Sequence, residues 1–194
     1  MRLSLPDREL ALATDRGVFS ADRVDAGTRL LLQEAPGPDS GASDVLDLGC
    51  GYGPIAVTLA GRAPETRVWA VDVNERAVAL CAENAATHHA DGVRPVLVAA
   101  DGQPLAGDAA ALEELPRVRF DGIWSNPPIR IGKPALRALL TTWLDRLAPA
   151  AKAWLVVQRH LGADSLAAWL DEQGWATERL VSRAGYRVLQ VSAR

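Results

Sequence analysis

Metal-binding side chains are scarce in this chain of 194 residues, which holds two cysteines and three histidines. Cys50 and Cys81 build no metal cluster with three scattered histidines, and each sits where a small buried residue serves. No metal is therefore expected. Long apolar runs are missing too: nothing approaches a membrane span, and the N-terminus lacks the basic-then-apolar layout of a signal peptide. That excludes a membrane partner and makes the cytoplasm the expected home. An excess of positive charge is also absent. With 21 Lys and Arg against 24 Asp and Glu, the net charge of -3 gives no global attraction to a polyanion, so a nucleic-acid partner needs a local basic patch. No segment repeats and none is low-complexity. What remains is ordinary for a globular protein, 48% apolar and 23% charged, at a length that suits one well-buried α/β domain.

One stretch organises the rest, Asp44-Val45-Leu46-Asp47-Leu48-Gly49-Cys50-Gly51-Tyr52-Gly53-Pro54-Ile55-Ala56. It opens as an apolar strand, breaks into alternating glycines, and resumes as a helix with Pro54 in its first turn. The glycines let the backbone turn sharply and approach a ligand without a Cβ in the way. The free N–H groups of the following helix face that loop. Gly51, Gly53 and Ala56 fit the dinucleotide pattern G-x-G-x-x-[GA], with Asp72 at ribose distance. Asp47-x-Gly49-x-Gly51-x-Gly53 also fits the loop of S-adenosylmethionine-dependent methyltransferases. An acidic Asp47 suits a cationic methionine end and repels a pyrophosphate, which favours S-adenosylmethionine. A glycine-rich turn without a ligand is the bland alternative.

From residue 44 onward strands and helices alternate, which implies a parallel sheet with right-handed crossovers. Strands are predicted at 44–48, 66–72, 93–99, 119–125, 151–158, 175–182 and 185–193. Helices are predicted at 54–62, 75–89, 133–147 and 163–173, with a loop and short helix across 101–118. The last two strands form a hairpin. The expected fold is α/β: a Rossmann-like, doubly wound sheet of seven strands, mostly parallel with one antiparallel strand in the C-terminal hairpin. Ahead of it, residues 8–14 read as a strand and 25–34 as an amphipathic helix.

Ligands in such sheets bind beyond the carboxyl ends of the strands. Asp72, ending the second core strand beside Val73, can accept both hydroxyls of a ribose, or cap the next helix. Asp101-Gly102 follows the third, where Asp101 accepts an adenine amine or the pair is a plain turn. After the fourth comes Ser125-Asn126-Pro127-Pro128-Ile129-Arg130-Ile131-Gly132-Lys133. The prolines lack N–H groups and fix the backbone, so the carbonyls of Asn126 and its neighbours are left as acceptors. Two acceptors gripping a planar amine let its nitrogen pyramidalise towards a sulfonium methyl, a transfer that depends on alignment and charge stabilisation. Arg130, Lys133 and Arg137 share a helix edge, either for RNA phosphates or as a solvated face. Gln158, with Arg159 and His160, follows the fifth strand on the same rim. His88 and His89 read as helix-end residues.

On these motifs the chain resembles the class I S-adenosylmethionine-dependent methyltransferases, and within them the small-subunit rRNA guanine-N2 methyltransferase family. The likeness runs through Gly17-Val18-Phe19-Ser20, Asp47 to Ile55, Asp72 to Ala77, Asn126 to Lys133, Val156-Val157-Gln158 and Gly185 to Leu189. It implies one methyltransferase domain over 1–194, with residues 1–40 as strand, lid and helix and 41–194 as the cofactor-binding core. The implied cofactor is S-adenosyl-L-methionine, contacted by Asp47, Gly49, Cys50, Gly51, Gly53, Asp72, Val73, Asp101, Gly102 and Asn126. Asn126, Pro127, Pro128 and Ile129 are the implied catalytic turn, and rRNA the implied partner. Ile129 stands where many members carry an aromatic residue, so Phe19 becomes the candidate for base stacking. The additional N-terminal domain of longer relatives is not expected here. Adenine-N6 transfer, or transfer to a protein glutamine amide, uses the same grip. A nicotinamide-dependent oxidoreductase and a non-catalytic cofactor-binding module are the alternatives of other classes.

Overall fold

A computed structural model describes residues 1–20 and 22–194. Two short strands, β1 (Arg2–Ser4) and β2 (Glu9–Ala11), pair antiparallel apart from the main sheet. Leu3, Leu10 and Leu12 face inward from them. Helix α1 (Ala26–Glu34) follows, capped by Asp25. Then come β3 (Asp44–Leu48), α2 (Pro54–Arg62), β4 (Arg67–Asp72), α3 (Glu75–Thr87), β5 (Val93–Val98), β6 (Pro104–Ala106) and α4 (Ala109–Glu114). The chain continues through β7 (Phe120–Ser125), α5 (Lys133–Leu144), β8 (Leu147–Gln158), α6 (Ala163–Glu172), β9 (Thr177–Arg183) and β10 (Tyr186–Ser192).

Among the described residues the main sheet has eight strands, in the order β6-β5-β4-β3-β7-β8-β10-β9. Strands β5, β4, β3, β7 and β8 are mutually parallel, whereas β10 runs antiparallel to β8 and β9. The doubly wound class and the closing hairpin are as the sequence predicts. The expected count of seven with one antiparallel strand is corrected by β6, three residues antiparallel to β5 within the segment read as loop. Strand β1 was likewise not anticipated.

Strand side chains alternate between two apolar layers, as a two-sided sheet requires. Val45, Val68 and Ala70 join the layer covered by α1, α2 and α3. Leu46, Trp69 and Val71 join the layer covered by α4, α5 and α6. The first layer is keyed by Trp124 stacked on Trp154 with ring centroids 4.6 Å apart. Gly122 makes room for them: a Cβ there would sit 2.6 Å from the Trp124 ring. Strand order reverses between β3 and β7, since the chain winds outward through β4 and β5 and then returns to the other side of β3. Such a switch point opens a crevice at the carboxyl ends of its two strands.

Candidate active site

Strands β3 and β7 are in register at Leu48 and Ser125, and Ser125 Oγ donates to the Leu48 carbonyl at 2.7 Å. Neighbouring strands lie about 4.8 Å apart. The loops that begin at Gly49 and Asn126 therefore leave the same sheet end side by side. Both border one cavity of about 560 Å³, within the ordinary range for a small-molecule site.

The glycine loop forms one half of it. Gly49 and Cys50 donate their N–H groups to the Val71 carbonyl at 2.9 and 3.0 Å, folding the loop over the end of β4. Gly51 N–H donates to Asp72 Oδ2 at 2.9 Å, and Asn74 N–H to Asp72 Oδ1 at 2.9 Å. Each carboxylate oxygen keeps lone pairs for a further donor. Asn74, rather than Asp72, caps α3, and Asp72 lines the cavity with the exposed Val73. Gly49 and Gly51 have φ of +73° and +54°, and a Cβ on either would project into open space. The backbone there forms a bare cradle.

Gly53 is different. A Cβ there would meet Cys81 Sγ at 2.7 Å, so this glycine serves the close packing of α2 against α3 instead of lining the cavity. Asp47 also departs from expectation. It is wholly buried under the loop, where Oδ2 accepts the Ala56 N–H at 2.9 Å and Oδ1 has no partner among the described residues. Burial raises its carboxyl to about 8, against the pull of the Ala56 hydrogen bond, with the Asp72 charge adding to the rise. At neutral pH it anchors the start of α2 and offers the cavity little charge, so the electrostatic reason for choosing between cofactors does not rest on it. Asp101 is exposed and accepts the Gln103 N–H at 3.1 Å, while Gly102 N–H closes a turn on the Ala99 carbonyl. Neither lines the cavity, whose wall at this point is Val98 and Ala100.

The second half surrounds Asn126. Its Nδ2 donates to Asp25 Oδ1 at 2.8 Å and Thr28 Oγ1 at 3.0 Å. A carboxylate only accepts, so the amide is fixed with its nitrogen towards α1, and its oxygen takes no hydrogen bond from the described residues. Pro127 is buried, and its carbonyl accepts the Ile129 N–H at 2.8 Å. Pro128 (φ -74°, ψ 75°) is the centre of this inverse γ-turn. The picture of wholly free carbonyls is thus corrected. The Ile129 N–H takes one lone pair of the Pro127 carbonyl; the other, and both on Asn126 Oδ1, take no donor from the described residues. Ile129 lines the cavity and packs on the α5 layer. Phe19, 66% exposed, and Arg130 stand on the rim. Lys133 begins α5 outside the cavity, and Arg137 lies over the Trp169 ring at 5.1 Å, held against α6 instead of facing the site. Gln158 lines the cavity, and its Nε2 donates to Tyr186 Oη at 3.0 Å.

Asp25, Thr28 and Tyr186 were not singled out by sequence. One signal was available: Gly27 sits in the first turn of a helix with no turn to make. A Cβ there would lie 2.6 Å from the Tyr186 ring, so this glycine admits the tyrosine against α1. Among the described residues no group of three or more His, Cys, Asp or Glu is placed to hold a metal, and no helix is long and apolar enough to cross a membrane.

A doubly wound sheet with a glycine loop and an Asn-Pro-Pro turn at one switch point defines a Rossmann-like methyltransferase. The chain matches the methyltransferase small domain model over residues 9–190 and belongs to that family of S-adenosylmethionine-dependent enzymes. It is 32% identical over 186 residues to the uncharacterized protein YbxB of Bacillus subtilis (strain 168), covering 96% of this chain and 87% of that one. It is 36% identical over 150 residues to ribosomal RNA large subunit methyltransferase G of Streptomyces avermitilis, covering 75% of this chain and 36% of that one. Among solved structures, the T. thermophilus 16S rRNA N2 methyltransferase RsmC in complex with AdoMet and guanosine superposes with a TM-score of 0.79 at 29% identity. That match covers 100% of this chain and 50% of the other, so the chain spans half the length of that relative.

Proposed function

We propose that this chain transfers a methyl group from S-adenosylmethionine to the exocyclic N2 amine of guanine in ribosomal RNA, acting as one methyltransferase domain in the cytoplasm. The observation that carries the reading is the adjacency of the two loops: β3 and β7 are paired neighbours, so the glycine cradle and the oriented Asn126 oxygen border one cavity. The cofactor fits the residues present. Gly49 and Gly51 leave room for close approach, Asp72 retains acceptor capacity for ribose hydroxyls, and Val73 and Cys50 flank them. Bound there, S-adenosylmethionine supplies an electrophilic sulfonium methyl.

The protein's own part is positional. Asn126 Oδ1 and the remaining lone pair of the Pro127 carbonyl accept the two amine hydrogens, drawing the nitrogen lone pair out of conjugation. The same oxygens would stabilise the positive charge that grows on nitrogen as the N–C bond forms and the S–C bond of the donor breaks, leaving a neutral thioether. The methylated amine is then acidic enough to shed its extra proton to water, so no strong base is needed. Phe19 on the rim offers an aromatic face for the base, in the role Ile129 cannot fill. Arg130 and Lys133 remain candidates for phosphate contact. Its relatives include enzymes named for large-subunit rRNA and for 16S rRNA. The test is transfer of labelled methyl to ribosomal subunits, naked rRNA and protein factors, followed by digestion and mass analysis. N2-methylguanosine is expected; N6-methyladenosine or methylated glutamine as the product would overturn the reading.

A further inference from the structure

The Asn126 network extends further than holding one amide. Three donors converge on the Asp25 carboxylate: Thr28 N–H at 3.1 Å and Asn126 Nδ2 at 2.8 Å on Oδ1, and Tyr186 Oη at 3.3 Å on Oδ2. Because a carboxylate has no proton to give, Tyr186 must spend its single hydroxyl hydrogen on Asp25. Tyr186 Oη is then an acceptor towards Gln158, which faces it with Nε2 at 3.0 Å. One charged group thus fixes the polarity of two amides at the carboxyl ends of the neighbouring strands β7 and β8. Both Asn126 and Gln158 line the cavity, and among the described residues each amide bonds through its nitrogen and not through its oxygen.

Building on the proposed guanine acceptor, we infer that Gln158 is the specificity-determining residue, its Oε1 accepting guanine N1–H while Asn126 holds the N2 amine, and that Asp25 is the positioning residue that sets both amides through Asn126 and Tyr186. The Watson–Crick edge of guanine presents donors at N1 and N2 side by side, which two acceptors complement. Adenine offers an amine beside an unprotonated N1, and a glutamine amide offers one beside its own carbonyl. Either would set a lone pair against Gln158 Oε1.

2-Aminopurine separates these ideas, since it keeps the 2-amine but has an unprotonated N1. The experiment measures binding of the fluorescent 2-aminopurine riboside and its displacement by guanosine, with S-adenosylhomocysteine present. Methyl transfer to RNA carrying either base at the target position is measured alongside. The wild-type protein is expected to favour guanine by about 10- to 100-fold in both, the effect of leaving one buried acceptor opposed. Gln158→Leu is expected to bring the ratio to within about threefold, by loss of guanine binding. Asp25→Asn, which fills the same space but can donate, is expected to lower the ratio in the same direction. Thermal unfolding and cofactor affinity of each variant serve as folding controls, and because the readout is a ratio, a general loss of stability does not move it. Guanine methylation with a ratio indifferent to both substitutions overturns this inference and leaves the guanine reading standing. Methylation of adenine or protein, with guanine refused, overturns the guanine reading and this inference with it.

Discussion

The three glycines of the loop after β3 ask for opposite consequences from the same substitution. Each has a positive φ, so alanine at any of them costs about 1–2 kcal/mol in backbone strain. At Gly49 and Gly51 nothing further is touched, because the new methyl would stand in open space. At Gly53 it would press on Cys81, 2.7 Å from Sγ and 3.3 Å from Cα, and the backbone cannot give way as a flexible side chain can. Overpacking of that kind adds about 1–3 kcal/mol. Gly53→Ala should therefore cost about 2–5 kcal/mol, roughly 4–20 °C in Tm for a chain of this size. Gly49→Ala should cost about 2–8 °C. Cofactor affinity should order the other way. The Gly49 and Gly51 methyls occupy the proposed ligand space and should weaken S-adenosylmethionine binding by about 10- to 100-fold, whereas folded Gly53→Ala should bind nearly as wild type. Differential scanning calorimetry and isothermal titration read the two quantities separately. If Gly49→Ala leaves affinity intact, the cradle is not the cofactor site; if Gly53→Ala is no less stable than Gly49→Ala, the packing argument fails.

Removing the acceptor should act on rate rather than on cofactor binding. Asn126→Ala is expected to lower kcat by about 10²–10³, the usual loss for one preorganised polar contact at a reacting centre, with the S-adenosylmethionine Kd within a few-fold; an unchanged kcat would remove Asn126 from the reaction. Asp47 should make stability pH-dependent. The unfolded chain sheds this proton near 3.8 and the folded chain holds it to about 8, so stability falls as pH rises between those values and levels off above. Urea unfolding at pH 5 and pH 8 should show wild type losing more than Asp47→Asn, and parallel losses would refute the buried-acid account. Arg146 lies 4.9 Å from the Phe120 ring and 4.8 Å from the Trp143 ring, with its guanidinium donating to the Leu115 and Val118 carbonyls. Arg146→Ala should cost about 2–4 kcal/mol by chemical denaturation, with Arg146→Lys recovering less than half because lysine cannot reproduce the planar fork.

What the sequence made legible was whatever physics writes locally. The glycine loop, the Asn-Pro-Pro turn and the α/β alternation each depend on residues within a few positions of one another, and each is where it was expected. The strand β6 escaped because Pro104-Leu105-Ala106 is three residues long and mostly exposed, too short for any period to register. Helix α5 ends at Leu144 rather than 147 because the chain turns at Asp145 and Arg146 to start β8 early. Asp47 misled for a different reason. Its place in the motif is right, but full burial changes what a carboxylate does there, and burial is a property of the folded layers.

The same distinction explains why half of the candidate site could not be read in advance. Asp25 and Asn126 are 101 residues apart, and Asp25 and Tyr186 161 apart. No spacing rule links them; only the folding of α1 across the ends of β7, β8 and β10 does. Yet the orientation of the Asn126 amide is set there, since an asparagine side chain alone is ambiguous between offering its oxygen and its nitrogen to a ligand. Motif residues name the atoms available for chemistry, and the distant carboxylate decides which of those atoms faces the cavity. A homologue that kept Asn126 but replaced Asp25 with a donor should therefore be expected to present the amide the other way round, and to take an acceptor-rich substrate in place of an amine.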